Sequence, residues 1–590
     1  MKNFIKTIFA VIFGNLLFFG FFFIVIVGLL IGAAMNSNKE QVTISKNSVL
    51  NLNLRGSLSD MSQNKDIFFG NGENSDLPTS IYEVVQAIKK AKNDDKIKAL
   101  WISMNMNQEV SYAQIDVLRA AIQDFKSSDK PVIAYGELAS QKMYYLATAA
   151  DHVYINPNGG LDVRGFGAQV SFFKNTLDKL EIQPQIFYAG KFKSATEPLR
   201  LNKMSEENKT QTRELLTDVA NHVLRAIAKD RHLDPQTINT TIDQMQSNTP
   251  REAAAAKLID GEKYFDEVES ELARHLHQDA KERFEHVSIY KYIGQEKEDI
   301  ATTKKIAVYV AEGDIVDGKS DEASIGSITM VEDLRKMADN NEIKAVVLRI
   351  NSPGGSALAS GTILREIDLL KKKKPVIISM GNLAASGGYY IACSGNKIFA
   401  EPNTITGSIG VFGIIPNIGK MLENKFGVSF DEVELNEHAV VGVTKNLDAM
   451  EAAKIQAEIE NTYLTFKKVV SQGRKMHIDS VETIAQGRVW SGERAKSLHL
   501  VDEIGGLKDA IAYTASLIKS TKSDYYFFNK RKSQIEQFME DFTGSAMIQA
   551  IQEKIVRSFL KEHAKHIDIL KQYEGMKGVQ MKMPYQVVIL

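Results

Sequence analysis

The chain of 590 residues holds a single cysteine, Cys393. No intrachain disulfide framework can therefore hold it together, but exported proteins without disulfides exist, so cysteine usage does not decide the compartment. Charge of one sign is lacking too: 72 Lys and Arg against 73 Asp and Glu leave a net charge of −1, and no basic field points to nucleic acid. The 11 histidines fall in no HExxH and the lone cysteine forms no CxxC, which argues against a zinc site. GxxxxGK[ST] is absent, so ATP is not expected. Hydrophobic content of 44% and charged content of 25% are those of a globular protein, too long for one core.

Only one hydrophobic run is long. From Thr7 to Asn38 no charged residue occurs. That exceeds the roughly 20 apolar residues a membrane helix needs and the apolar core of roughly 7–15 residues in a cleavable signal. Residues 1–38 are therefore expected to be a cytoplasmic stub and a transmembrane anchor, with a cleaved signal as the alternative, because IGAAM offers small residues to a signal peptidase. Lys2 and Lys6 favour a cytoplasmic N-terminus. The rest of the chain would then lie on the extracytoplasmic side of the inner membrane.

What is present in abundance is repetition. KPVIAYGELASQKMYYLATAADHVYINPNGG, from Lys130, and KPVIISMGNLAASGGYYIACSGNKIFAEPNT, from Lys374, read as copies offset by about 245 residues. Each is preceded by a strand-like opening, an amphipathic helix and a β-branched strand. Alternation of strand and helix argues an α/β fold, with the order of elements suiting tandem repeats of ββα units. We expect an N-terminal repeat at 46–290, a linker at 291–303, a C-terminal repeat at 304–520 and a helical tail at 521–590. The tail has apolar residues at helical spacing from Ile535 to Ile555, and its last residues, MPYQVVIL, are apolar enough to dock, even as a strand in a peptide groove.

Four stretches could carry chemistry. NSPGGSA, Asn351 to Ala357, follows a strand; its Pro-Gly turn leaves backbone N–H groups open to an anion, though such turns are usually only structural. AASGGYY places Ser386 at a strand-to-helix turn, where free amides favour developing negative charge; the plainer reading is an N-cap. TGSIG offers Ser408, by itself a turn residue. GKFKSATEP, in the first copy, offers Lys193 where the second copy has no lysine; alone it would be a surface charge.

Together these four motifs, in this order on a duplicated frame behind an apolar anchor, closely resemble the signal peptide peptidase A (protease IV) family in its long, two-repeat form, similar in fold to the Clp protease and crotonase superfamily. The resemblance spans the chain to about Ser520. It implies a serine endopeptidase with a Ser–Lys dyad split across the copies: Ser386 as nucleophile, Lys193 as general base, Ser408 orienting the lysine, and an oxyanion hole from Gly354 or Gly355 with Gly387. Lys191 would share a face with Lys193 if the segment were an extended strand; the motif favours Lys193. The resemblance further implies apolar peptide substrates, above all remnant signal peptides, a ring-like homotetramer, and no cofactor or metal.

The chemistry is self-consistent. A serine hydroxyl needs a base, and a lysine serves as one at neutral pH only if burial lowers its pKa from about 10.4. Three rival readings are a Ser-His-Asp peptidase using His438 with Asp431 or Asp448, a crotonase-like enzyme acting on an acyl-CoA, and an inactive membrane scaffold.

Overall fold

The computed structural model of the chain describes residues 14–15, 18–22, 44–61, 79–104, 106, 108–279, 283–293, 305–321, 323–522, 524–529 and 579–583. Most of the apolar run at 7–38 lies outside the described residues, as does most of the linker and of the tail. Among the described residues no helix is long and apolar enough to cross a membrane.

Two parallel sheets carry the duplication. In the first, the spatial order is Glu285–Ser288, Ser48–Leu52, Ile97–Met104, Val132–Ser140, His152–Asp162 and Gly261–Glu262, every neighbour parallel. The second repeats that order with Tyr525–Phe527, Ile306–Glu312, Ala345–Ser352, Val376–Ala385 and Ile405–Gly407, closed by an antiparallel Val489–Ser491. Sequences such as IKALWISM and AVVLRINS are near-continuous apolar runs because both faces of a parallel sheet are covered. Helices Ile81–Lys92 and Tyr112–Lys126 cover the first sheet, and Ser327–Asp339 and Ala357–Lys371 cover the second. Ser80, Ser111 and Ser356 cap three of these helices with their side chains, Ser111 through a capping box with Gln114, while Ser327–Asp339 starts at Gly326 without a side-chain cap.

A third, mixed sheet joins the halves. Its order is Ser324–Gly326, Asp314–Val316, Gly354–Ser356, Gln580–Lys582, Val411–Asn417 and Gln183–Ala189. Strand Gln183–Ala189 comes from the first copy and runs antiparallel to all seven residues of Val411–Asn417 in the second. Of the tail expected to be helical, the described residues form two short strands, Tyr525–Phe527 and Gln580–Lys582. Their aromatic run and their alternation of polar residues with methionine fit a strand better than a helix.

The seam between copies is polar as well as paired. Asp60 accepts hydrogen bonds from Arg349 Nε at 3.0 Å and Nη2 at 3.3 Å, with both side chains buried. Glu312 accepts from Ser59 Oγ and from the amides of Asp60 and Met61. On the other side, the long helix Glu206–Arg231 docks through Asp218, which accepts from Arg494 and Ser491 Oγ.

Candidate active site

Strand Val376–Ala385 ends at Ser386, and helix Gly387–Ala392 begins immediately after it. The turn is sharp: Ser386 has φ 54° and ψ −116°. Positive φ is costly for a residue with a Cβ and persists only where surroundings enforce it, a geometry known from nucleophile turns. Here the Ser386 amide donates to the Gly407 carbonyl at 2.8 Å, which ties the turn to the neighbouring strand. Ser408, the next residue along that strand's exit, also has positive φ, 51°.

Lys193 reaches this turn from the first copy. After strand Gln183–Ala189 the chain turns at Gly190, where Lys193 N donates to the Gly190 carbonyl. Lys193 Nζ lies 2.9 Å from Ser386 Oγ, 3.0 Å from Ser408 Oγ and 3.1 Å from the Ser408 carbonyl oxygen. Lys193 is 1% exposed, and Ser386 and Ser408 are fully buried. Lys193 has no carboxylate partner among the described residues. Burial therefore holds its ammonium well below the ordinary lysine range. A neutral amine has two N–H donors and one lone pair. The two oxygens of Ser408 can take the donors, which leaves the lone pair for the Ser386 hydroxyl proton.

The glycines flank this group. Gly354 has φ 98°, and a Cβ there would lie 2.6 Å from Gly387 N, so only glycine leaves that amide approachable. Gly355 is paired on both edges, to Ile315 and to Met581. Gly354 is thus the glycine of its turn that faces Gly387. Ser356 is the N-cap of the helix Ala357–Lys371, its Oγ accepting from Ala359 N.

Lys191 is not beside Lys193. The segment is a turn rather than an extended strand, so Lys191 is exposed, with its ammonium over the Phe192 ring, while Lys193 points inward. His438 is not among the partners of Ser386 or Lys193: it pairs with Asp448 and Glu451 at the start of the helix Ala449–Arg474, and Asp431 is exposed.

Several residues that fix the lysine carry no local sequence signal. Gly487, with φ 79°, packs so closely that a Cβ would sit 2.6 Å from the backbone N and Cα of Lys193. Phe192 N donates to the Gln486 carbonyl at 2.9 Å. Gln211 donates to the Phe192 carbonyl and to Ser194 Oγ, while buried Glu197 accepts from Ser205 and Asn208. Only the Glu of SATEP, inside a motif already singled out, could have been suspected.

A family model described as peptidase family S49 matches residues 124–279 and 368–520, and one described as Clp protease matches 306–406. Protease 4 of Haemophilus influenzae is 33% identical over 590 aligned residues, covering 96% of this chain and 95% of that protein. The chloroplastic serine protease SPPA of Arabidopsis thaliana is 32% identical, covering 80% of this chain and 69% of that one. A putative signal peptide peptidase SppA of Enterococcus faecium is 35% identical over 36% of this chain and 64% of that protein.

Proposed function

The chain belongs to peptidase family S49, with two repeats of that family, and is a serine peptidase; we propose that its catalytic pair is Ser386 and Lys193. The observation that carries this is the 2.9 Å approach of a fully buried lysine amine to a serine hydroxyl held at a strained turn. Neutral Lys193 takes the Ser386 proton as Oγ attacks the scissile carbonyl. It then delivers that proton to the leaving amine, and a water attacks the acyl-enzyme by the same route in reverse. Ser408 holds the amine in register. The N–H groups of Gly387 and of the Gly354–Gly355 turn stabilise the tetrahedral oxyanion, each worth on the order of 3 kcal/mol.

The substrates of this reading are extended apolar peptides, remnant signal peptides foremost. Support comes from the name of the Enterococcus relative, a putative signal peptide peptidase, and from the uncharged run at 7–38, which would anchor the chain in the inner membrane with the catalytic region outside the cytoplasm. A homotetrameric ring would enclose the groove and admit unfolded peptides only.

The test is hydrolysis of an apolar fluorogenic peptide. Ser386→Ala and Lys193→Met should each lower kcat/KM by at least ~10³-fold, and the double variant should fall no further, because the two act as a unit. The sign of the pH dependence follows from the lysine. Its neutral form is the active one and burial lowers its pKa, so kcat/KM rises with pH through a single ionisation well below the ordinary lysine value, then levels. Full activity in Lys193→Met would remove the dyad.

A further inference from the structure

The groove beside Ser386 is filled by the chain itself. Strand Gln580–Lys582 lies antiparallel on Gly354–Ser356, with Gly355 opposite Met581. Two further bonds extend that ladder: Met583 N donates to the Pro353 carbonyl at 2.7 Å and Ala357 N to the Val579 carbonyl at 3.1 Å. On its other edge Gln580 pairs with Phe412. Without this strand, Gly354–Ser356 and Val411–Asn417 would be two sheet edges one strand apart, a slot ~10 Å wide with backbone donors and acceptors on both walls. Such a slot takes an extended peptide by adding it as a strand.

The side chains follow the same logic. Met581 and Met583 are buried at alternate positions. Met583 packs with Ala385, the residue preceding the nucleophile, and with Leu215 from the first copy and Val489 from the second. The Met581 carbonyl oxygen lies 2.0 Å from where a Gly354 Cβ would be and 3.0 Å from where a Gly387 Cβ would be, so it overlies the gap between the two glycine turns. Lys582 points the other way and pairs with Asp314 at 2.6 Å, which fixes the register. With the strand in place Ser386 has no exposed surface.

We propose that residues Val579–Met583 are a tethered, substrate-like occupant of the peptide groove. The full chain restrains its own activity, and the peptides that displace the tail are extended, with apolar side chains at alternate positions. The residue nearest the nucleophile fills the pocket of Ala385, Leu215 and Val489. This rests on the peptidase reading for its consequence but not for its geometry. A tether presents its end at an effective concentration on the order of 1 mM, so a tail with an intrinsic Kd of ~0.1 mM is ~90% bound and raises the apparent Kd or KM of a competitor about tenfold.

Three full-length chains decide it: the wild type, Met583→Asp, which puts a charge into the apolar pocket, and Lys582→Glu, which sets a like charge against Asp314 and leaves the pocket alone. Each is made with and without Ser386→Ala. In the Ser386→Ala background, a labelled peptide of Val579–Leu590 should bind Met583→Asp about tenfold more tightly than the wild-type tail, read by fluorescence anisotropy. Lys582→Glu should show a smaller gain in the same direction. With Ser386 intact, KM for an apolar peptide should fall by the same factors with kcat unchanged. Equal affinity and equal KM in chains of equal thermal midpoint would overturn the proposal and make the strand a fixed element of the fold. If Met583→Asp fails to fold, Lys582→Glu decides alone, and no gain there also overturns it. Gains in binding with no hydrolysis in any chain would leave the tail inference standing and sink the peptidase reading; hydrolysis without gains does the reverse.

Discussion

The two copies hold matching strands and differ at the same turn. Aligned on their Tyr-Tyr pairs, Gln141 stands where Ser386 does, Lys142 where Gly387 does, and Met143 where Gly388 does. Register carries the match further: Ser140 lies opposite Asp162 as Ala385 lies opposite Gly407, so Val163 takes the place of Ser408. In the second copy the turn is strained and sets Ser386 Oγ 2.9 Å from Lys193 Nζ. In the first it is plugged. Gln141 Nε2 donates to Tyr112 Oη at 2.9 Å, and Gly165 N donates to Gln141 Oε1 at 2.8 Å. What the first copy contributes is the strand Gln183–Ala189 and the lysine that follows it. Lys193 meets Ser386 across the seam, so whatever holds the copies in register also holds that amine to that hydroxyl.

The strongest way to break that comparison is to attack the seam away from the site. Asp60→Ala leaves Arg349 buried without its carboxylate. Removing one partner of a buried pair costs about 3–5 kcal/mol, whereas replacing both with apolar residues can be neutral. Asp60→Ala should therefore shift the denaturation midpoint far down and lower activity with it. Asp60→Leu combined with Arg349→Met should recover most of the stability. A small shift in Asp60→Ala would mean that the seam is held by strand pairing alone.

A narrower cut is Gly487→Ala. The added methyl strains a backbone at φ 79° and meets Lys193 at 2.6 Å. Displacing a catalytic group by about 1 Å can cost ~10²-fold, so kcat should fall by that order. The fold should lose only ~1–3 kcal/mol, the usual cost of such strain. Gly427→Ala is the control. Its φ is 68° with nothing within 4 Å, so it takes the backbone strain and leaves kcat alone.

These variants mark where the sequence stops being legible. Repeats and alternation disclose the α/β frame, because parallel strands buried on both faces must be apolar. Ser386, Gly387, Ser408 and Lys193 are singled out by the resemblance of four motifs taken in order; each stretch alone reads as a turn, a cap or a surface charge. Spacing alone leaves Lys191 and Lys193 level and the motif favours Lys193; the turn at Gly190 supplies the physical reason, since period-two reasoning holds only in extended chain. Gly487 and the Asp60–Arg349 pair act across hundreds of residues, and Gln211 reaches back from a helix to the turn before it, so no local pattern marks them. The tail strand is the same kind of case: VQMKM is only five residues of alternation, and its meaning comes from the slot it occupies.

The smallest expected effect is the sharpest test of the division of labour. Gln141→Ser, Lys142→Gly and Met143→Gly together rewrite the first copy's turn as SGG. In a Ser386→Ala background this chain should regain no hydrolysis of an apolar peptide. A serine at 141 would have Val163 at the place that Ser408 holds beside Ser386, and among the described residues no lysine reaches that turn from another element as Lys193 reaches Ser386. With Ser386 intact, activity should stay within about twofold of wild type. Stability should drop by ~1–3 kcal/mol as Tyr112 Oη and Gly165 N lose their partner. Hydrolysis in the Ser386→Ala background would show that the first copy has a base of its own, and Gln141 would then be a plug over a working site rather than the filling of one whose lysine serves the other copy.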